Sequence, residues 1–221
     1  QARLRGAPAR HGGVPAELPL RAELFSREQM EEHGQTLAAA HQAQLGRGPD
    51  PLLARLADNE AALIHARRLL TAALEAGRRI APAGEWLLDN FYLIHEQIRT
   101  ARDHYPQGYS RTLPRLLLGA SAGLPRVYEL ALETVSHGDG RVDPESLSGF
   151  VAAYQTVAIL RLGELWAIPI MLRLALIENL RCVAARLAQD RMDRNRAEDW
   201  ADRMVATAET DAKSVILVVA D

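Results

Sequence analysis

Hydrophobic positions in this chain recur at three- and four-residue intervals, the spacing that lines one face of an α-helix. The densest case is residues 163–181, GELWAIPIMLRLALIENLR. Leu165, Ile168, Leu172, Leu176, Leu180 and Val183 make a stripe there, and Trp166, Ile170, Met171, Leu174 and Ile177 fill much of the other side. A helix apolar nearly all round is normally buried, so residues 163–185 are expected to form the central helix. Pro169 should kink it or mark its first turn. Glu164, Arg173 and Glu178 are carried into this apolar setting and need partners.

The same reading places other helices in order. Ser26 and Gln29 fit a capping box that opens a first helix, about 26–45, ended by the glycine and proline of 46–49. Asp50-Pro51 is a cap followed by proline at the first helical position, and Leu52, Leu56, Leu63 and Leu70 carry that helix to about residue 79. One helix is expected over 82–103, with Trp86, Leu87, Phe91, Ile94 and Ile98 on its apolar side, broken at 105–108. A short helix near 110–118, a turn at 119–123 and a helix at 124–136 follow. Asp143-Pro144 repeats the cap-plus-proline start for a helix over 144–160. The charged stretch 185–210 reads as a long exposed helix or a partly solvated hairpin. Strand-like alternation with regular turns is absent, so the expected fold class is all-α: a multi-helix bundle or array around the buried central helix.

The ends differ from this pattern. Residues 1–19, rich in Ala, Gly, Pro and Arg without a period, read as a flexible arm before a helical domain over 20–221. The apolar run SVILVVA at 214–220 wants a partner, which suggests a sequence cut from a larger protein.

Composition narrows the function classes. Hydrophobic content of 48% with 24% charged residues is that of an ordinary globular chain. A formal net charge of −2 gives no basic face for nucleic acid. Lys213 is the only lysine, a bias that fits a GC-rich genome. The single cysteine, Cys182, excludes an internal disulfide and reads as a buried inert thiol. The longest apolar run stops at Arg173, well short of the ~20 residues a membrane span requires.

Candidate chemistry is sparse. Asp89, Tyr92, Glu96 and Arg99 are spaced to share one helix face, where paired carboxylates could do acid–base work or hold a metal. The plainer reading is a Glu96–Arg99 ion pair beside buried aromatics. His95-Glu96 lacks the second histidine of H-E-x-x-H because position 99 is Arg. The remaining histidines show no paired metal spacing, so no metal site is expected. Asp139-Gly140 resembles half a calcium loop, but Val135 and Ser146 stand where the acidic ligands belong, and a helix–helix turn accounts for it better. No phosphate-cradling glycine motif and no G-x-S-x-G elbow is present. Glu164, Trp166, Arg173 and Glu178 could face a sugar. Core anchoring by Trp166 and a salt bridge, from Arg173 to Glu178 or between helices, serve equally well.

Four blocks in order carry a resemblance: PLRAELFSREQMEEHGQTLAAAHQ (19–42), EWLLDNFYLIHEQIR (85–99), GLPRVYELALETVSHGDG (123–140) and the central helix. Together they resemble the N-terminal region of cyclic β-1,2-glucan synthases, very large bacterial inner-membrane proteins. The two tryptophan blocks are the specific part. The resemblance implies a parent that builds glucan from UDP-glucose with a membrane-embedded glycosyltransferase and trims it with a phosphorylase-like domain. The chain has neither the D-x-D nor the Q-x-x-R-W pattern of such a transferase, so no catalytic residue carries over and no cofactor is expected.

The expectation is therefore a non-catalytic scaffold or regulatory segment on the cytoplasmic side of the membrane. Its partner would be the remainder of the synthase chain. Trp86 and Trp166 would be core anchors between the two main helices. The alternatives are a carbohydrate-binding or carbohydrate-active module, with glucan held by Trp86, Asp89, Tyr92, Glu96, Glu164, Trp166 and Arg173, and a stand-alone helical adaptor.

Overall fold

The structure, a computed structural model, describes residues 23–45, 50–105 and 108–210. The expected N-terminal arm, the stop at 46–49, Pro106-Gln107 and the apolar run at 214–220 lie outside these residues. The fold is all-α, with seven α-helices among the described residues: α1 Arg27–Ala40, α2 Pro51–Glu75, α3 Pro82–Asp89, α4 Phe91–Asp103, α5 Arg126–His137, α6 Pro144–Gln155 and α7 Leu162–Thr210.

Local chemistry sets most helix starts. The Ser26 side chain accepts from the Gln29 amide while the Gln29 side chain accepts from the Ser26 amide, closing the capping box of α1. Asp50 and Asp143 cap α2 and α6, each followed by proline. The α5–α6 connection turns through left-handed backbone at Asp139 (φ 51°) and Gly140 (φ 76°), the helix–helix turn expected from the sequence.

Several boundaries differ from expectation, and α2 and α6 stop early, at Glu75 and Gln155. The helix expected over 82–103 is two helices, because the Asn90 side chain donates to the Trp86 carbonyl (2.8 Å) and ends α3 before α4 begins. The helix expected to run to about residue 45 stops at Ala40, and Ala43–Gln44 (β1) pairs antiparallel with Arg115–Leu116 (β2). The expected short helix near 110–118 is only a 3-10 turn, Tyr109–Thr112, leading into β2.

α7 is the spine. At 49 residues it extends about 70 Å and continues unbroken through the charged stretch, so the hairpin alternative is excluded. Pro169 sits in its second turn and leaves the Leu165 carbonyl without its helical donor. α2 and α5 flank the spine, with α3 and α4 closing the larger core around Leu56, Leu63, Ile98, Tyr128 and Met171. α1 and α6 pair separately over Met30, Phe150 and Tyr154, joined to the rest through Leu130 of α5. Their crossing is close: a Cβ on Gly34 would stand 2.9 Å from both the Phe150 ring and its carbonyl oxygen. Beyond Arg191 nearly every residue of α7 is exposed or half-buried.

The buried face of α7 is not the expected leucine stripe. It runs Glu164, Ala167, Met171, Leu174, Ala175, Glu178 and Cys182. Leu165, Ile168, Leu172 and Leu180 are half-buried shoulders of that face, and Leu176 is exposed. A one-residue shift in register rotates a helix by about 100°, enough to turn an apolar stripe from the centre of a face to its edge.

Candidate functional site

The expected tryptophan anchors are not anchors. Trp86 is 55% and Trp166 73% exposed. On α3 the inward positions are Gly84 and Leu87, and on α7 they are Glu164 and Ala167, which leaves both indoles on outward flanks.

Among the polar groups that do enter the core are two carboxylates of α7. Glu164 is fully buried and accepts from Arg126 of α5 twice, Nε to Oε1 at 2.7 Å and Nη2 to Oε2 at 2.8 Å. The amide of Arg161 donates to it as well (2.9 Å), so Glu164 also caps the helix it belongs to. Arg126 further donates to the Ile159 carbonyl at 2.8 Å, tying α5 to the α6–α7 connection. The hydrogen bond to Glu164 outweighs burial and raises the Arg126 guanidinium above its ordinary pKa.

One face further along, Glu178 accepts from Arg55 (2.6 and 2.9 Å) and Asn59 (2.7 Å) of α2, and from Arg181 at 3.2 Å. Burial depresses the Arg55 guanidinium, but the bond to Glu178 and its charge outweigh that and leave it raised. These are bidentate, charge-assisted pairs that satisfy buried carboxylates. The expectation that the polar residues of the spine need partners is met between helices for Glu164 and Glu178; Glu178 pairs with Arg55 rather than with Arg173. Both carboxylates are occupied in holding α2 and α5 to α7.

The remaining residues named from the sequence scatter. Asp89, Tyr92 and Glu96 are exposed, and the break at Asn90 puts Asp89 on a different helix from the other two. Tyr92 borders a shallow surface hollow with Arg67, Phe91 and His95. Trp86 and Arg173 alone come together, in an open groove of about 600 Å³ between α3, α4 and α7. Its floor is apolar, built from Leu93, Ile94, Pro169, Leu172, Leu176 and Leu180. Three leucines of the sequence stripe thus line a groove at the edge of the core. Its other polar lining residue is Gln97, and among the described residues no Asp or Glu lines it. Glycoside chemistry uses two carboxylates flanking the scissile bond, and this groove has no such pair.

One cluster escaped the sequence reading. His33 of α1 meets Glu133 and His137 of α5, with ligand-type atoms all within 4.8 Å of one another. The local signal was Glu133-x-x-x-His137, a one-turn spacing that places both on one helix face; the third member is a hundred residues away.

No protein-family model matches the chain. The chain is similar to the cyclic beta-(1,2)-glucan synthase NdvB of Rhizobium meliloti (strain 1021), with 35% identity over 200 residues. The similarity takes in 90% of this chain and 7% of that relative, so the chain spans only a small part of the protein it matches. The resemblance carried by the four sequence blocks is borne out. Among the described residues no helix is long and apolar enough to cross a membrane.

Proposed function

From that similarity we propose that the chain is a non-catalytic helical scaffold or regulatory segment in the N-terminal part of a cyclic β-1,2-glucan synthase. In this reading the helical domain over 20–221, preceded by an arm at 1–19, lies on the cytoplasmic side of the bacterial inner membrane. It packs against the remainder of the synthase, including the glycosyltransferase part that uses UDP-glucose. The observation that carries the proposal is 35% identity over nine-tenths of this chain.

Two features support a scaffolding role. The buried carboxylates of the spine are consumed by arginines, so they hold helices instead of reacting. The groove bordered by Trp86, Leu172, Leu176 and Leu180 is an exposed apolar surface of the kind that marks a protein contact. The rest of the synthase is its occupant in this proposal, since the relative extends far beyond the matched segment.

The test is a blot of fractionated source cells with an antibody raised to this chain. A membrane-bound band many times the 24.3 kDa of the chain is the expected result. A soluble band near 24.3 kDa would overturn the reading and leave a stand-alone adaptor. A second reading, carbohydrate binding, rests on Trp86, Gln97 and Arg173 sharing one groove, because an indole face stacks on sugar rings. Calorimetry with β-1,2-glucan and with UDP-glucose decides it: no heat from either removes that reading.

A further inference from the structure

We propose that His33, Glu133 and His137 form a three-ligand site for a divalent transition-metal ion of the Zn²⁺ type, joining α1 to the C-terminal turn of α5. Two imidazoles and one carboxylate are a donor set such ions favour, with solvent completing the shell. Both histidines present Nε2 to the same oxygen: Glu133 Oε2 lies 2.7 Å from His33 and 3.2 Å from His137.

The protonation pattern singles out this cluster. His137 Nδ1 lies 2.6 Å from the Glu23 carbonyl oxygen, which can only accept, so Nδ1 carries the hydrogen. In the neutral ring Nε2 then bears a lone pair, and that lone pair faces the lone pairs of the carboxylate. A positive centre between them satisfies both atoms, either a proton on Nε2 or a bound metal ion. The Nδ1–H to backbone carbonyl bond is also the outer contact that metal-bound histidines characteristically make, fixing tautomer and ring direction.

The setting is built as well as placed. Phe25 stacks on the His137 ring (centroids 3.8 Å apart, 14° between planes) and meets His33 edge-on at 5.4 Å. The side chains of His33, Glu133 and His137 are 24%, 26% and 9% exposed, which restricts solvent without sealing the site. His137 also borders a cleft of about 360 Å³, room for the water that fills a fourth position. Arg27, which lines that cleft, is engaged by Glu145. Around a tetrahedral ion with bonds of ~2.0–2.1 Å, ligand atoms stand ~3.3 Å apart. The two nitrogen–oxygen separations, 2.7 and 3.2 Å, already lie near that value.

The full 221-residue chain, stripped with chelator, is titrated with Zn²⁺ by calorimetry and with Co²⁺ by visible absorption. The expected result is one bound equivalent, a moderately intense four-coordinate Co²⁺ spectrum and a melting temperature that rises with Zn²⁺. His33→Ala and His137→Ala should each weaken binding by at least the ~10-fold that loss of a mere outer-shell partner costs. His65→Ala, on α2, should leave it unchanged. Glu133→Gln keeps the shape of the cluster and serves if a histidine variant loses its helical circular dichroism. Less than half an equivalent bound by the wild type, or binding that survives His33→Ala and His137→Ala together, overturns the proposal. Zn²⁺ binding by this chain is read out independently of any synthase, so its failure is distinct from failure of the scaffold reading.

Discussion

Replacing Arg126 with Met tests what holds the spine in place. The substitution keeps the length of the apolar stem and removes the guanidinium that donates to Glu164 at 2.7 and 2.8 Å. Glu164 has no exposed side-chain surface and Arg126 only 11%. One donor then remains, the Arg161 amide. Breaking a buried pair by removing one partner costs about 3–5 kcal/mol, since it strands an uncompensated charge. For a chain of this size that corresponds to a fall of about 10 °C in Tm. Arg126→Met combined with Glu164→Leu removes both charges. The desolvation cost disappears with them, and such exchanges are often neutral or stabilising. Against this stand the Ile159 carbonyl and the Arg161 amide, which lose partners at about 1 kcal/mol each. The double variant should therefore exceed the single one by about 2 kcal/mol. Urea unfolding followed by circular dichroism at 222 nm measures both. A single variant that loses less than about 1 kcal/mol, or a double variant no more stable than the single, would refute the claim that this pair is desolvated and structural.

Other consequences are open to direct test. Gly34→Ala gains about 1 kcal/mol of helix propensity, yet the new methyl meets the Phe150 carbonyl, which cannot step aside; overpacking of about 1–3 kcal/mol should dominate. A raised Tm for that variant would contradict the close α1–α6 crossing. Leu176→Glu, at a 37%-exposed position in the groove, should cost the isolated chain less than about 1 kcal/mol by melting. In the full-length synthase the same change should lower the yield of cyclic glucan, and unchanged yield would exclude the groove as a docking surface. Burial raises the phenol pKa values of Tyr105, Tyr128 and Tyr154. The unfolded phenols lose protons near pH 10 while the folded ones keep theirs, so stability falls as pH rises above that value. Absorbance at 295 nm should show these three ionising together with loss of helical signal; ionisation with the helices intact would count against their burial.

The sequence by itself determined what is local. Ser26 with Gln29, Asp50-Pro51 and Asp143-Pro144 specify helix starts through bonds within three residues, and the structure has those starts. The three- and four-residue periodicity established the all-α class, and the four sequence blocks carried the resemblance later found over most of the chain. What tertiary structure decided is which face of each helix turns inward. Glu164 and Glu178 weigh against burial when read alone, yet they define the buried face of α7 because Arg126, Arg55 and Asn59 arrive from α5 and α2. That same choice rotates Trp166 into solvent and moves Leu172, Leu176 and Leu180 to a groove. Asn90 reads as one more helical residue until its side chain reaches the Trp86 carbonyl. His33 has no visible partner in the sequence because Glu133 and His137 lie a hundred residues on, and only the packing of α1 beside α5 brings them together. Periodicity reports how side chains are spaced around one helix. The partners that neutralise a buried charge, or complete a ligand set, come from other helices, and their positions are settled by packing.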